Sequence, residues 1–289
     1  MGQIVALLGH PVAHSISPRF QQAAFDALGL DVRYEAWDTP PADLPVAMER
    51  LRSHELMGAN VTIPHKEAVL RLVDRLDPLA ERVGAVNTVA RRDGRLHGAN
   101  TDVTGILRAL EDEGVDVRDR HVVILGAGGA ARAAVVAMRK GGAARVTVAN
   151  RTLERAEALV PLGGSDLPVR AVPLDASSER LRAALRSASL VIHSTSLGMR
   201  HGPDENASPL PPGLLISAQA AFDFVYVPER TPFLEAAAAA GARTIGGLAM
   251  LVHQGAESFR LWTGIDPPIE VMFEAARTAL AGAPAGDRP

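Results

Sequence analysis

The segment VVILGAGGAARAAVVAM, near the middle of the chain, leaves it the fewest options. An aliphatic run, a tight glycine turn and a small-residue helix follow one another directly, with Gly126, Gly128 and Ala131 in the G-x-G-x-x-A spacing. The first glycine serves the turn, the second lets backbone approach a pyrophosphate, and the third small residue lets the helix close on the strand. The helix N-terminus, with its unpaired N–H groups, then stabilises the anion. A second apolar run, RVTVANR, completes the strand–helix–strand unit, so the pattern predicts dinucleotide binding. At the end of that second strand an NAD site places an acidic residue for the ribose hydroxyl, whereas this chain has Asn150-Arg151-Thr152, with Arg155 one helical turn on. Two guanidinium groups suit a 2′-phosphate and predict NADP(H). Solvated surface arginines are the competing reading.

Around this unit the apolar runs alternate with helical stretches in the rhythm of an α/β protein. Residues 103–247 are expected to form a doubly wound, mainly parallel Rossmann-type sheet. Residues 1–102 read as a second, smaller α/β domain, completed by the helical segment 248–289, which offers no further strand and is expected to pack back on it. Asp93-Gly94 lies between two short runs and predicts a hairpin with a type I′ turn, which would set Asn87 opposite Asn100.

At 289 residues and 47% apolar the chain can bury two cores. Thirty basic against 33 acidic residues leave a net charge of −3, which argues against a nucleic-acid partner or an anionic membrane surface. The absence of cysteine excludes disulfides and thiolate metal sites, and no metal is expected. No apolar stretch matches a membrane helix, and MGQIVALLGH has neither a basic region before its apolar run nor the Ser or Thr of a myristoylation signal. A cytoplasmic protein is the expectation.

Twenty-eight of the thirty basic residues are arginine; Lys66 and Lys140 are the only lysines. A lysine in such a chain marks a position that needs an amine able to lose its proton. In GANVTIPHKEAVLRLVD a strand is expected to run through Pro64 into a helix with Lys66 in its first turn, where the partial charge disfavours the protonated amine and favours a proton acceptor. An exposed lysine covering apolar surface with its stem is the alternative. HSISPRF reads as a helix start with Ser17 at the N-cap and Pro18 at the first helical position, and Ser15 adds a second hydroxyl suited to a small carboxylate. Asp102 opens a further helix, as a cap or as a functional group. Asn60, Thr62, Lys66, Asn87 and Asp102 all fall at strand ends or helix starts, where open α/β sheets bind ligands.

GHPVAHSISP, GANVTIPHK, GAVNTV, GANTD, GAGGAARA, NRTLERA, FVYVPERTPFL and GGLAMLVHQ, in that order, resemble the shikimate dehydrogenase family over nearly the whole chain. The resemblance implies a substrate domain and an NADP domain with the active site in the cleft between them, and reversible reduction of 3-dehydroshikimate to shikimate in aromatic amino-acid biosynthesis. It implies that Ser15 and Ser17 hold the substrate carboxylate, and that Asn60, Thr62, Asn87, Tyr226 and Gln254 hold the ring hydroxyls. Lys66 would exchange the proton of the reacting hydroxyl, with Asp102 hydrogen-bonded to both lysine and substrate. Gly126, Ala127, Gly128, Gly129 and Ala130 would cradle the pyrophosphate, Asn150, Arg151, Thr152 and Arg155 the 2′-phosphate side, and Phe224, Gly247 and Met250 the nicotinamide end. A small-molecule substrate and a second copy of the chain are the expected partners.

Three places depart from the pattern usual in that family: Gln21-Gln22 stands for His-Asn, His193-Ser194-Thr195 for Asn-Ala-Thr, and Val103-Thr104 follows Asp102 where Gly is common. The last resembles relatives acting on quinate or amino-substituted shikimate, so a quinate/shikimate or aminoshikimate dehydrogenase is the alternative enzyme. A non-catalytic NADP(H)-sensing protein is the alternative of another class; it predicts loss of Lys66 and Asp102, and both are present.

Overall fold

A computed structural model describes residues 2–282. The chain forms two compact units: the described residues up to Thr101 together with those from Val252 onward, and Asp102–Leu251.

The first unit begins β1 (Gln3–Gly9), α1 (Ser17–Ala27), β2 (Val32–Asp38), α2 (Leu44–Arg50), β3 (Leu56–Val61), β4 (Arg75–Leu76), α3 (Pro78–Val83), β5 (Thr88–Arg92) and β6 (Arg95–Ala99). Its six strands lie in the order β2-β1-β3-β5-β6-β4. β1 is parallel to β2 and β3, whereas β5 is antiparallel to both β3 and β6. Asp93 and Gly94 have φ of 52° and 74°, as the expected hairpin turn requires. Because β5 runs against β3, its first residues lie at the end of the sheet where β1 and β3 finish, and the chain leaving β6 returns there too. That geometry gathers the polar residues of the first unit.

The second unit comprises α4 (Asp102–Asp112), β7 (His121–Leu125), α5 (Gly129–Lys140), β8 (Arg145–Asn150), α6 (Leu153–Glu157), β9 (Val169–Pro173), α7 (Glu179–Ser187), β10 (Leu190–His193), β11 (Ala220–Asp223), α8 (Pro232–Ala239) and β12 (Arg243–Ile245). The strand order is β12-β11-β10-β7-β8-β9, all parallel, which is the doubly wound arrangement. The order reverses between β7 and β10, and ligands bind outside the carboxyl ends of strands at such a reversal. Val123, Leu125, Val191, Ala221 and Phe233 lie in its core. β7 is buried at every residue, as expected for a strand covered on both faces.

One continuous helix, α9 (Leu248–Thr263), leaves the second unit and enters the first at Val252; α10 (Ile269–Ala281) then packs on α1. Gln21 explains part of the docking within the first unit, since its buried amide donates to the Gly255 carbonyl at 2.9 Å. A Cβ on Gly255 would stand 2.5 Å from the Phe20 ring, so only glycine lets α1 and α9 approach this closely. Gln22 faces the other way and accepts from the Tyr34 N–H at 2.8 Å, tying α1 to β2.

Two local expectations are corrected. Residues after Pro64 do not form an α-helix: 62–67 is a series of turns followed by a short 3-10 helix, Ala68–Arg71. Besides the local bonds from His65 N–H to Thr62 O and from Val69 N–H to His65 O, distant segments hold this stretch, with Thr62 N–H on Leu8 O, the Lys66 carbonyl on Val86 N–H and the His65 ring on Thr39 O. The field of an α-helix N-terminus is therefore absent at Lys66. At α1 the N-cap position belongs to Ile16, without a side-chain cap; Ser17 is already helical and its N–H donates to Ser15 Oγ at 3.2 Å.

Candidate active site

In the first unit a buried polar cluster forms where β3 ends, β5 begins and β6 ends. Asn87 Nδ2 donates to Thr101 Oγ1 (2.8 Å) and to Gln254 Oε1 (3.1 Å), and its Oδ1 accepts from the Thr101 N–H (2.7 Å). Asn60 Oδ1 accepts from the Tyr34 hydroxyl (2.8 Å), while its Nδ2 faces Asn87 O, Thr88 Oγ1 and Ser258 Oγ at 3.0–3.3 Å. With both ends of its amide engaged, Asn60 acts as a brace for its neighbours. The Asn100 amide donates to the Ala85 carbonyl at 2.9 Å.

Thr62 and Lys66 follow directly after β3 and are half-buried. Val86 N–H on the Lys66 carbonyl (2.8 Å) and the buried His65 ring on Thr39 O (2.6 Å) hold the backbone around Lys66. Ser15 is half-buried and Ser17 buried at the start of α1. Asp102, 2% exposed, follows the cluster residue Thr101 and opens α4 of the second unit. Tyr34, Thr88, Thr101 and Ser258 were not singled out from sequence. Ser258 had a readable signal, lying four residues after Gln254 on the same face of α9, and its hydroxyl returns to the Gln254 carbonyl at 2.9 Å. Tyr34 had none, since only the sheet order brings it to Asn60.

The second unit carries the glycine loop. Gly126 has φ +112°, and a Cβ there would lie 2.8 Å from Ser194 Oγ. Gly128 holds the N-cap position of the twelve-residue α5 in extended backbone, and a Cβ there would meet nothing within 4 Å. Ala127, Gly129 and Ala130 add no bulk before the helix N–H groups, and Ala131 is fully buried against the sheet. Open space in front of an α-helix N-terminus is what a dinucleotide pyrophosphate needs, so these residues fit the group. Asn150 ends β8 and its amide donates to the Thr152 carbonyl at 2.8 Å, shaping the turn; Thr152, Arg151 and Arg155 are exposed beside it. Phe224 follows β11, and its N–H donates to His193 O at 3.0 Å. Gly247 touches that segment so closely that a Cβ would stand 2.5 Å from Phe224 O. Tyr226 is half-buried in the same segment, and Met250 is buried on α9.

Among the described residues no group of three or more His, Asp or Glu side chains could hold a metal ion, and no helix is long and apolar enough to cross a membrane.

Residues 7–89 match the family model described as the shikimate dehydrogenase substrate binding domain, 109–199 that of shikimate/quinate 5-dehydrogenase, and 247–277 that of the shikimate 5'-dehydrogenase C-terminal domain. A shikimate dehydrogenase (NADP(+)) of Symbiobacterium thermophilum is 48% identical over 285 residues, covering 98% of this chain and 96% of that protein. Its counterpart in Moorella thermoacetica is 45% identical over 289 residues, covering 99% and 97%. The crystal structure of shikimate 5-dehydrogenase from Thermus thermophilus in complex with NADP(H) and shikimate matches with a TM-score of 0.86 at 45% identity, covering 96% of this chain and all of that one. With a glycine loop at the reversal of a doubly wound sheet, a polar cluster around Asn87 and Gln254, and relatives this similar from end to end, the chain belongs to the shikimate dehydrogenase family.

Proposed function

We propose that this protein catalyses the NADP-dependent, reversible reduction of 3-dehydroshikimate to shikimate. One observation carries the reading: 48% identity across 98% of the chain to a relative named for that activity. Lys66 protonates the oxygen of the reacting carbonyl in one direction and deprotonates the hydroxyl in the other. Positioned proton transfer of this kind contributes about 10²–10⁴-fold in rate. Asp102 hydrogen-bonds the substrate. Bound NADP(H) supplies or accepts the hydride.

Ser15 and Ser17 take the substrate carboxylate. Ser15 Oγ already accepts from the Ser17 N–H, which leaves its own proton to donate. Asn87 and Gln254 are locked to each other before substrate arrives, so little ordering is required of them on binding. Thr62 and Tyr226 complete the contacts to the ring hydroxyls, and Asn60 supports them from behind. The second unit holds the dinucleotide, with pyrophosphate at Gly126–Ala130, the 2′-phosphate at Asn150–Arg155 and the nicotinamide near Phe224, Gly247 and Met250. A cytoplasmic location and a homodimer belong to the same proposal. Sedimentation equilibrium tests the homodimer.

The experiment is reduction of NADP+ by shikimate, read from the absorbance of the reduced nicotinamide and repeated with quinate, with NAD+ and with Lys66→Ala. Turnover confined to shikimate and NADP+ that collapses in the variant is the expected result. Equal use of quinate or NAD+ overturns the specificity assignment, and no turnover with any pair overturns the activity.

A further inference from the structure

The second unit buries a cluster of polar side chains that the reaction described above does not use. His193 ends β10 and Asp223 ends β11; the two are opposite each other in register, and both side chains are fully buried. His193 Nε2 lies 2.6 Å from Thr195 Oγ1. His193 Nδ1 lies 3.0 Å from Asp223 Oδ1, an ion-pair distance without the alignment of a hydrogen bond. Asp223 Oδ1 also accepts from the Val225 N–H (2.9 Å), and Oδ2 accepts from the hydroxyl of Thr231 (2.6 Å), the residue that caps α8. Burying these groups costs desolvation that an apolar core would avoid.

What the cluster connects gives that cost a purpose. Through Thr195, whose Oγ1 also accepts from the Leu197 N–H, it orders the loop leaving β10. Ser194 of that loop donates to Leu125 O at 2.8 Å and forms the wall against Gly126. Through Asp223 it orders the segment leaving β11, where Phe224 N–H donates to His193 O and Val225 O accepts from the Gly247 N–H. One imidazole thus spans two loops at the carboxyl ends of β10 and β11, beside the strand reversal where the glycine loop sits.

We propose that His193 is a positioning residue for the nicotinamide half of the dinucleotide: by bridging Thr195 and Asp223 it sets the spacing between the 194–197 loop and the 224–225 segment. The inference rests on the reading of the second unit as the NADP site and deepens it. It separates the two halves of the cofactor, because the cluster lies away from Arg151 and Arg155, which follow β8 on the other side of β7.

The test measures kcat, the KM values for NADP+ and shikimate, and calorimetric binding of adenosine 2′,5′-bisphosphate, which carries the adenosine half alone. Wild type is compared with His193→Ala, His193→Asn and Thr195→Val. The expected result for His193→Ala is a rise of about tenfold or more in KM for NADP+ together with a lower kcat, at unchanged bisphosphate affinity and shikimate KM. His193→Asn, with an amide in place of the ring, restores part of the loss. Loss of bisphosphate and NADP+ binding in equal proportion, or no change in either, overturns the proposal. If His193→Ala does not fold, Thr195→Val removes the Nε2 partner at nearly constant shape, and wild-type kinetics in that variant overturn the proposal equally. Failure of wild type to bind either nucleotide overturns the NADP reading itself, and this inference with it.

Discussion

Lowering the pH should destabilise the second unit through one imidazole. His121 opens β7 and is only 7% exposed, with Nδ1 2.9 Å from Ser187 Oγ and Nε2 2.9 Å from Thr147 Oγ1. Burial, helped by the Arg145 and Arg170 charges and opposed by the contact with Ser187, lowers its pKa from 6.5 to about 4. The folded protein therefore resists a proton that the unfolded chain accepts. Between those two values the unfolded state binds more protons, so stability falls as pH drops from about 6.5 towards 4 and is retained in full above. At ~1.36 kcal/mol per pKa unit the ceiling is ~3 kcal/mol, reduced by whatever water reaches the ring. The assay is reversible urea unfolding of wild type and His121→Asn from about pH 7 to about pH 4. Carboxylates titrating in both proteins cancel in the difference, so the stability of wild type relative to the variant should shrink by up to ~3 kcal/mol across the window. Parallel curves for the two proteins would refute the reasoning.

Lys66→Ala should lower kcat by about 10²–10⁴-fold while calorimetry still shows NADP+ binding; a loss confined to KM would remove its proton-transfer role. The double variant Arg151→Ala/Arg155→Ala should raise KM for NADP+ about tenfold or more and leave NAD+ unaffected, and equal losses with both cofactors would argue against contact with the 2′-phosphate. Gly126→Ala should cost about 1–3 kcal/mol, because its φ of +112° and the contact with Ser194 both resist a Cβ, whereas Gly128→Ala should melt near wild type. The reverse order would contradict the loop geometry. Phe259→Ala should cost about 3–5 kcal/mol, since that ring is fully buried 4.9 Å from Phe25; a loss under 1 kcal/mol (about the cost of a surface change) would show that the site is poorly packed.

What could be read from the sequence alone was what acts over a few neighbouring residues. The glycine loop was legible because strand end, turn and helix start are consecutive, and Gly126 answers a local demand, a positive φ against Ser194, that a residue with a Cβ meets only under strain. The Asp93-Gly94 hairpin was legible for the same reason, and its register brought Asn87 and Asn100 to one end of the sheet. The apolar spacing after Pro64 suggested a helix, yet lateral bonds from distant segments hold that chain in turns and place Lys66 by a different route. Tertiary structure alone decided that Tyr34 and Ser258 close the cluster around Asn60, since one arrives from β2, which β1 separates from β3 in the sheet, and the other on α9, almost two hundred residues along the chain. It also decided that His193 meets Asp223. The twenty-nine residues between them carry no signal of the contact, because parallel pairing of β10 and β11 is set by the register of a whole sheet, and register follows from burying every strand at once.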